Sequence, residues 1–271
     1  MIKRFMKDMF LGKKKYQKAW ERLFKISQAG MNIGSGGVPS DDGEEWFIRY
    51  LSQNKSNNKE VLFDVGANVG EYSKMLRKYF PKGEIHAFEP SGHTYKILTR
   101  NCKNDNILLN NFGLGEKDDY AVLYTNEKGS GLASLYKRDI EQYGLKLDQK
   151  ESVKLERLDD YCTDNGIDHI FLLKIDVEGN EMSILNNSMN MINRKCIDYI
   201  QFEFGGANID VRNYFRDFWK LLSPKYRFYR LLRDGLREIK GYDERLELFS
   251  CTNYVLMRKG LWQKKAGKRR A

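Results

Sequence analysis

Residues 61–70 read Val-Leu-Phe-Asp-Val-Gly-Ala-Asn-Val-Gly, and this stretch decides the fold. The apolar run at 61–65 predicts a buried strand, and a helical pattern begins directly after Gly70. Glycine at 66 and 70 lets the backbone turn sharply and approach a ligand closely. A strand, a glycine turn and a helix in this order are typical of an open parallel α/β sheet that binds a nucleotide-like ligand. We therefore expect Gly66, Asn68 and Gly70 to form a ligand-binding turn.

A carboxylate follows the second predicted strand, residues 84–88, in the sequence Phe88-Glu89-Pro90. The tips of neighbouring parallel strands meet at one edge of the sheet, where Glu89 is positioned to accept both ribose hydroxyls of an adenosine. The glycine turn alone would be weak evidence. Together with Glu89 at this spacing, it predicts an adenosine-containing cofactor.

Charge at the turn discriminates between such cofactors. A dinucleotide site needs a third glycine and rests its pyrophosphate on the helix N-terminus, but Glu71 occupies that place and Asp64 ends the first strand. Carboxylates repel a diphosphate, whereas they attract the sulfonium and amine of S-adenosylmethionine. We therefore predict S-adenosylmethionine and disfavour an NAD-dependent dehydrogenase. The alternative for Asp64 is a purely structural bond to the glycine turn.

Outward from this stretch, strands and helices alternate, which is the pattern of a parallel sheet covered by helices. The predicted strands are 61–65, 84–88, 107–111, 170–176 and 197–204, and the predicted helices are 70–79, 92–102, 158–165, 181–187 and 211–222. Two late runs, 226–232 and 252–257, predict an antiparallel hairpin that closes the sheet. Another strand-like pair, 120–125 and 153–155, flanks a polar loop whose residues 129–134 suit a lid or a plain surface loop.

Three further carboxylates, Asp176, Glu178 and Glu203, follow or end predicted strands at the same edge. Methyl transfer mainly requires that two reactants be aligned and water excluded, and a base helps when the acceptor is a hydroxyl. We expect Asp176 to orient donor or acceptor, with Glu178 or Glu203 as the base. The alternative for Glu178 and Glu181 is a structural role as caps at a helix N-terminus.

Metal and nucleic acid are alternatives that we do not favour. The three carboxylates offer oxygen ligands for Mg²⁺, but the sequence fixes no octahedral set, so we predict no metal site. Basic tails suit an RNA methyltransferase, but the rest of the chain is acidic and contains no recognisable RNA-binding module. A cofactor-binding scaffold without activity is a third reading of the same motifs.

Four motifs together resemble the FkbM family of S-adenosylmethionine-dependent methyltransferases. They are residues 63–70, Phe88-Glu-Pro90, Leu158-Asp-Asp160, and Lys174-Ile-Asp-Val-Glu-Gly179 followed by Glu181. The resemblance covers roughly residues 60–258 and implies a class I, Rossmann-like α/β fold: a seven-stranded, mostly parallel sheet in the order 3-2-1-4-5-7-6, with helices on both faces and an antiparallel closing strand. It also implies O-methylation of hydroxyls on sugars, cell-surface glycans or secondary metabolites.

Cofactor contacts are carried over as Asp64, Gly66, Asn68, Gly70, Glu89, Asn111 and Asp176. Gly113 departs from the alanine that the family pattern leads us to expect, which leaves Asn110, Asn111 and the backbone of Gly113 as alternative adenine contacts. The acceptor is expected to be a small molecule or a glycan.

The formal net charge of +10 is concentrated at the two ends of the chain. Residues 1–25 and 258–271 each sum to +7, so the remainder sums to −4. We divide the chain into a basic helical extension and loop (1–54), a methyltransferase domain (55–260) and a basic tail (261–271). Within the extension, Asp41 or Asp42 is expected to cap a helix that starts near Glu44.

Residues 2–26 combine lysines with helically spaced apolar side chains. Such a segment suits peripheral contact with an anionic membrane, or a packed helix with a solvated basic face. The sequence contains no apolar run long enough to span a bilayer and no secretory signal pattern, so we expect a cytoplasmic protein, with peripheral membrane contact as an option.

Overall fold

The fold was analysed in a computed structural model, which describes residues 10–34, 42–54, 59–116 and 119–261. Its strands are β1 (Val61–Val65), β2 (Glu84–Phe88), β3 (Leu108–Asn110), β4 (Gly113–Leu114), β5 (Asp119–Thr125), β6 (Gln149–Glu156), β7 (Ile170–Ile175), β8 (Ile197–Phe204), β9 (Tyr226–Leu232), β10 (Gly235–Ile239) and β11 (Thr252–Arg258). Its α-helices are α1 (Gln17–Gly30), α2 (Glu44–Asn54), α3 (Glu71–Tyr79), α4 (Gly92–Asn101), α5 (Leu158–Asp164), α6 (Glu181–Asn186), α7 (Met189–Asn193), α8 (Ala207–Asp210) and α9 (Phe215–Leu222).

The main sheet has the strand order β10-β9-β11-β8-β7-β1-β2-β3. The pairs β3-β2, β2-β1, β1-β7 and β7-β8 are parallel, while β11 is antiparallel to both β8 and β9. Seven of these strands reproduce the order 3-2-1-4-5-7-6, so the predicted class I fold is confirmed. The eighth strand, β10, is an addition at the edge that pairs antiparallel with β9.

Helices cover both faces of the sheet because strand residues alternate between them. Phe63 on β1 packs in a core cluster with side chains of α5, α6 and α9, whereas its neighbour Leu62 packs in a second cluster with α2 and α3. The sheet is therefore buried from both sides, as a parallel sheet requires.

Helix α2 belongs to this second cluster. Phe47, Ile48 and Leu51 are fully buried against the sheet. The helix lies before the domain boundary that we drew at residue 55, so the packed core begins earlier in the chain than that boundary. The final residues, 262–271, which make up nearly all of the predicted basic tail, lie outside the described part of the chain.

A smaller sheet in the order β4-β6-β5 stands beside the main sheet. The chain between β5 and β6, residues 126–148, is called the strap below. Ser134 in the strap forms a β-bridge with Tyr124 of β5, and its hydroxyl donates to the carbonyl of Glu178 at 2.7 Å. The strap is thereby attached to the turn that follows β7, at the carboxyl edge of the main sheet.

Candidate active site

The turn between β1 and α3 has a backbone shape that two glycines make accessible. Gly66 has φ 84°, and a Cβ at this position would lie 1.9 Å from the carbonyl oxygen of Asp176, so a side chain has no room. Gly70 has φ 93°, and its Cβ would lie 2.7 Å from both Cys102 Sγ and Leu98 Cδ1. Gly66 therefore permits the close approach of two loops, while Gly70 permits packing against α4 and its C-terminal end.

Glu89 lies at the tip of β2 and is 7% exposed. Its Oε2 accepts from the backbone N–H of Asn68 at 3.1 Å, and its Oε1 accepts from that of Ser91 at 2.9 Å. Burial raises the pKa of Glu89 to about 7, although these two hydrogen bonds oppose the rise. The carboxylate is thus fixed beside the glycine turn, where the sequence predicted it.

Asn111 has a different position from the other predicted cofactor residues. Its Nδ2 donates to the carbonyl oxygens of Glu89 at 3.0 Å and Pro90 at 3.2 Å. The side chain therefore braces the turn that carries Glu89, while Gly113 lies on the wall of the cavity beside it. A direct contact between Asn111 and the cofactor stays a prediction.

A cavity opens between the glycine turn, Glu89 and the strap. Its apolar walls suit an adenine ring and include Val65, Leu114, Leu123, Leu135, Leu155 and Val177. Asn68 reaches this cavity, and its Oδ1 is buried without a hydrogen-bond partner. An unpartnered acceptor beside Glu89 fits the donors of S-adenosylmethionine, whose ribose hydroxyls and amine both carry protons.

A second, open cavity of about 720 Å³ adjoins the first. Five residues border both, namely Gly66, Asn68, Gly131, Asp176 and Glu178. Carboxylates dominate the charged residues of the larger cavity, which are Asp42, Glu44, Glu71, Asp176, Glu178 and Glu203 against Lys174 and Arg138. The two cavities therefore meet at Asp176 and Glu178, beneath the part of the strap that includes Gly131.

Lys174 on β7 is buried and organises the carboxylates around it. Its Nζ lies 3.2 Å from Asp176 Oδ2, 3.6 Å from Asp64 Oδ1 and 4.8 Å from the centroid of the Tyr72 ring. Burial alone would lower the pKa of Lys174, but Asp176, Asp64 and Glu44 more than offset this and hold the pKa above its usual value. Lys174 is thus a charged partner that fixes Asp176.

Asp64 is fully buried and stands one layer behind the cavity walls. Its Oδ2 accepts from the hydroxyl of Ser73 at 2.6 Å. Burial raises the pKa of Asp64, and Lys174 opposes the rise. The structure therefore connects this predicted cofactor residue to Lys174 and α3. Its direct contact with the cofactor stays a prediction.

Glu178 and Glu181 have separate roles in the turn after β7. Glu178 adopts φ 54°, and its Oε2 is contacted by the guanidinium of Arg138 in the strap. Burial and Asp176 raise the pKa of Glu178 to about 7, against the effect of Arg138. Glu181 Oε1 instead accepts from the backbone N–H groups of Val177 and Gly179, at 3.2 and 3.1 Å, and so braces the turn.

Glu203 on β8 lines only the larger cavity. Burial raises the pKa of Glu203 well above its usual value, and the nearby carboxylates Asp176 and Glu178 raise it further. The raised pKa favours the protonated form of this carboxyl group, which can donate a hydrogen bond.

Four site residues were not anticipated as such, namely Asp42, Glu44, Tyr72 and Gln201. Glu44 Oε1 accepts from Gln201 Nε2 at 2.6 Å, and Gln201 Oε1 accepts from the hydroxyl of Tyr72 at 2.8 Å. Asp42 accepts from the backbone N–H of Glu44 at 2.9 Å, which is the helix cap that the sequence indicated. The cap was visible in the sequence pattern, but the position of Glu44 on the cavity wall involves a contact with Gln201, which lies 157 residues later in the chain.

The strap is held at its far side by Arg138. Besides Glu178, the guanidinium reaches Asp210 of α8, with 3.4 Å between Nε and Oδ2. Together with Ser134, these contacts hold residues 130–138 over the junction of the two cavities; this segment includes most of the loop 129–134 that the sequence indicated as a lid or a plain surface loop.

Across the described ranges, no group of three or more His, Cys, Asp or Glu side chains is arranged to hold a metal ion. In the same part of the chain, none of the helices combines the length and apolarity needed to cross a bilayer.

A sheet in this order, with a glycine turn and an acidic residue at the tip of β2, defines a class I S-adenosylmethionine-dependent methyltransferase. Residues 64–231 match the Methyltransferase FkbM domain, which is more than half of the chain. The chain therefore belongs to the FkbM methyltransferase family, as its motifs predicted.

Three relatives illustrate the similarity. "Methyltransferase 1" of Beauveria bassiana is 28% identical over 140 residues, covering 46% of this chain and 56% of that protein. "Methyltransferase sdnD" of Sordaria araneosa is 27% identical over 209 residues, covering 67% and 73%. "2-O-methyltransferase NoeI" of Sinorhizobium fredii is 23% identical over 152 residues, covering 52% and 63%. The match thus spans little more than half of the Beauveria protein.

Proposed function

We propose that this chain is an O-methyltransferase that acts on a hydroxyl of a sugar, glycan or secondary metabolite. The observation that carries the proposal is the junction of the two cavities at Asp176 and Glu178. A donor in the smaller cavity and an acceptor in the larger one would meet beside two carboxylates. Enforced proximity of this kind accounts for much of the rate of a displacement reaction.

S-adenosylmethionine, when bound, supplies an activated methyl group with a positively charged sulfur. In the proposed complex, Glu89 accepts hydrogen bonds from the ribose hydroxyls, and Asn68 Oδ1 accepts from the amine. The apolar wall that includes Leu114, Leu123 and Leu155 takes the adenine ring. The carboxylates at the junction attract the positive charge, and the strap excludes water from it.

For the acceptor, we assign separate roles to the three predicted catalytic carboxylates. Asp176, fixed by Lys174, orients the acceptor hydroxyl. Glu178, with its pKa raised to about 7 by burial, is matched to receiving the hydroxyl proton near neutral pH. Glu203, whose raised pKa favours its protonated form, is assigned to donate a hydrogen bond to the acceptor. The name of the 2-O-methyltransferase NoeI supports a hydroxyl as the methylated group.

The charge of the larger cavity also restricts the acceptor. Its six carboxylates outnumber its two cations, and each cation contacts one of the carboxylates. Both cations are therefore occupied and offer little to a phosphate-rich or polyanionic acceptor, whereas a neutral polyol can donate several hydrogen bonds to the carboxyl oxygens. We therefore favour a neutral acceptor over RNA.

Calorimetric titration with S-adenosylmethionine tests the cofactor assignment. The variant Glu89→Gln should lose roughly ten- to hundredfold in affinity, because hydrogen bonds to an ionised carboxylate contribute about 1.5–3 kcal/mol. Glu84→Gln is the matched control on the same strand, since the Glu84 side chain lies at the opposite end of β2 and is half exposed. Equal affinity in the two variants would contradict the assignment of Glu89.

Transfer of a labelled methyl group then tests the activity. Wild-type protein, the labelled donor and a panel of neutral glycosides should give a product whose label is stable to mild base, as an ether is and an ester is not. A protein that binds the donor but labels no acceptor in the panel or in cell extract would favour the scaffold alternative. Label found in RNA would favour the nucleic acid alternative.

A further inference from the structure

Helix α1 (Gln17–Gly30) stands apart from the packed molecule. None of its side chains is buried. Leu23 and Phe24 are 49% and 57% exposed, although both are large apolar residues. An isolated helix of this length is only marginally stable in water, and the described residues offer α1 no surface that would stabilise it.

The two sides of α1 differ in character. At 100° per residue, Trp20, Leu23 and Phe24 share one stripe, while Lys18, Arg22 and Lys25 lie on the opposite side. Lys13, Lys14 and Lys15 immediately precede the helix. Residues 13–26 thus contain six basic residues against one acid, Glu21, a net charge of +5.

We propose that α1 docks on an anionic membrane surface. The apolar stripe would enter the interface between headgroups and acyl chains, and the six cations would be attracted to anionic lipid. A protein partner that covers the stripe leaves the positive charge unmatched, and a nucleic acid leaves the stripe in water. A bilayer with anionic headgroups matches both properties. Residues 1–9 of the predicted membrane segment lie outside the described residues, and the proposal does not use them.

The C-terminal end of α1 is attached to the wall of the larger cavity. Asn32 Nδ2 donates to the carbonyl oxygens of Asp42 at 2.7 Å and Leu231 at 3.0 Å, and the N–H of Gly34 donates to that of Cys251 at 3.0 Å. Gly34, Asp42 and Cys251 all line the larger cavity. A docked α1 therefore holds this cavity close to the lipid headgroups.

Because of this attachment, the acceptor class that we infer is a hydroxyl carried by a membrane-associated molecule, such as a glycolipid. This second part rests on the proposed methyltransferase function, whereas the docking of α1 does not. The two parts are therefore tested by separate measurements.

Vesicle flotation tests the docking. The full chain should bind phosphatidylcholine vesicles that contain phosphatidylglycerol at least tenfold more strongly than pure phosphatidylcholine vesicles, and added salt should weaken this binding. The double variant Leu23→Gln/Phe24→Gln should lose tenfold or more. Its matched control, Tyr120→Gln/Val122→Gln, replaces two exposed apolar residues of β5 and should bind as the wild type does.

A second pair of variants tests the charge. Lys18→Gln/Arg22→Gln/Lys25→Gln should reduce both the affinity for the anionic vesicles and its salt dependence. Lys82→Gln/Lys103→Gln/Lys220→Gln removes the same charge from exposed positions on the domain and should have little effect. Because every substituted residue is exposed, circular dichroism and thermal unfolding should show intact folds in all four variants.

Several results would overturn the docking proposal. They are equal binding to both vesicle types, equal loss in the target and control variants, and RNA binding in place of vesicle binding. A dimer that Leu23→Gln/Phe24→Gln dissociates, together with wild-type protein that does not bind vesicles, would also overturn it.

The acceptor class is tested separately: Leu23→Gln/Phe24→Gln should lower kcat/KM for a glycolipid in anionic vesicles at least tenfold but leave transfer to a soluble glycoside unchanged. Equal effects on both acceptors would overturn that part alone.

Discussion

Two carboxylates of the larger cavity, Glu178 and Glu203, differ in pKa because their surroundings differ. Glu203 is buried beside two other carboxylates, so its pKa is raised well above the usual value. Glu178 is also buried, but the guanidinium of Arg138 limits the rise of its pKa to about 7. Similar side chains within one cavity are therefore suited to different parts in the proposed reaction.

Two glutamine variants separate these parts. Glu178→Gln should reduce kcat on the order of a hundredfold, because a glutamine accepts no proton. Glu203→Gln should reduce kcat only a fewfold, since a neutral amide resembles a protonated carboxyl group. Steady-state kinetics with a calorimetric measurement of cofactor affinity checks both. The reverse order of effects would assign the base to Glu203.

The stability of the protein should depend on pH through Glu44. Burial raises the pKa of Glu44 from 4.5 to about 8, so the stability that its protonated form contributes is complete below pH 4.5 and is lost as the pH rises through 8. Glu44→Gln should match the wild type at pH 5 and exceed its free energy of unfolding at pH 9 by on the order of 2–4 kcal/mol.

Urea unfolding at the two pH values measures this difference. Glu45→Gln is the control on the same helix, because Glu45 is exposed and its pKa is lowered by Lys78 and Tyr79. Its difference from the wild type should be the same at pH 5 and pH 9. If the free energies of unfolding of Glu44→Gln and the wild type differed by the same amount at pH 5 and pH 9, this would contradict the pKa shift assigned to Glu44.

At the scale of elements, the strap joins two parts of the site that are distant in sequence. Arg138 bridges the turn after β7 and helix α8, and its side chain is 8% exposed. Removing the guanidinium leaves Glu178 and Asp210 without this partner and loosens the strap, which Ser134 then holds alone at this edge. We expect Arg138→Met to raise the dissociation rate of S-adenosylhomocysteine about tenfold, because the cofactor cavity then opens more often.

Stopped-flow displacement measures that rate. Arg245→Met is a matched control, since Arg245 also forms an arginine–carboxylate pair but is exposed and remote from the cavities. Thermal unfolding of both variants separates a loose strap from a general loss of stability. An unchanged dissociation rate would show that the strap does not limit cofactor release.

Elements also differ in how well the sequence predicts them. The β1–turn–α3 unit and the turn after β7 are continuous stretches, so glycine spacing and apolar runs were enough to find them. The contribution of α2 was missed because Glu44 reaches the cavity only through the packing of Phe47 and Leu51 on the sheet. The local sequence pattern also placed Asp64 at the edge of the sheet where the cofactor is expected to bind. The burial of Asp64 behind Lys174 depends on tertiary contacts, which the local pattern does not contain.

At the scale of the whole molecule, α2 and the sheet form one core. Phe47 is fully buried, and truncating such a side chain costs about 3–5 kcal/mol. Phe47→Ala should lower the free energy of unfolding by this amount while unfolding remains a single transition. Urea unfolding followed by fluorescence and circular dichroism checks it. Phe24→Ala, in the exposed helix α1, is the control and should change stability little.

The outcome decides where the domain begins. If Phe47→Ala unfolded in two steps, or as stably as the wild type, α2 would be an appendage and the boundary at residue 55 would stand. Residues 42–54 would then belong to a separate N-terminal extension, as α1 does.

In the proposed reaction, the wall that the two cavities share would impose an order on the catalytic cycle. The strap closes over the smaller cavity, and an acceptor in the larger cavity occupies the space next to Asp176 and Glu178. The donor must therefore enter first, and its demethylated product must leave last. Product inhibition should accordingly be competitive between S-adenosylhomocysteine and S-adenosylmethionine and noncompetitive for every other pair, the signature of a compulsory-order bisubstrate enzyme.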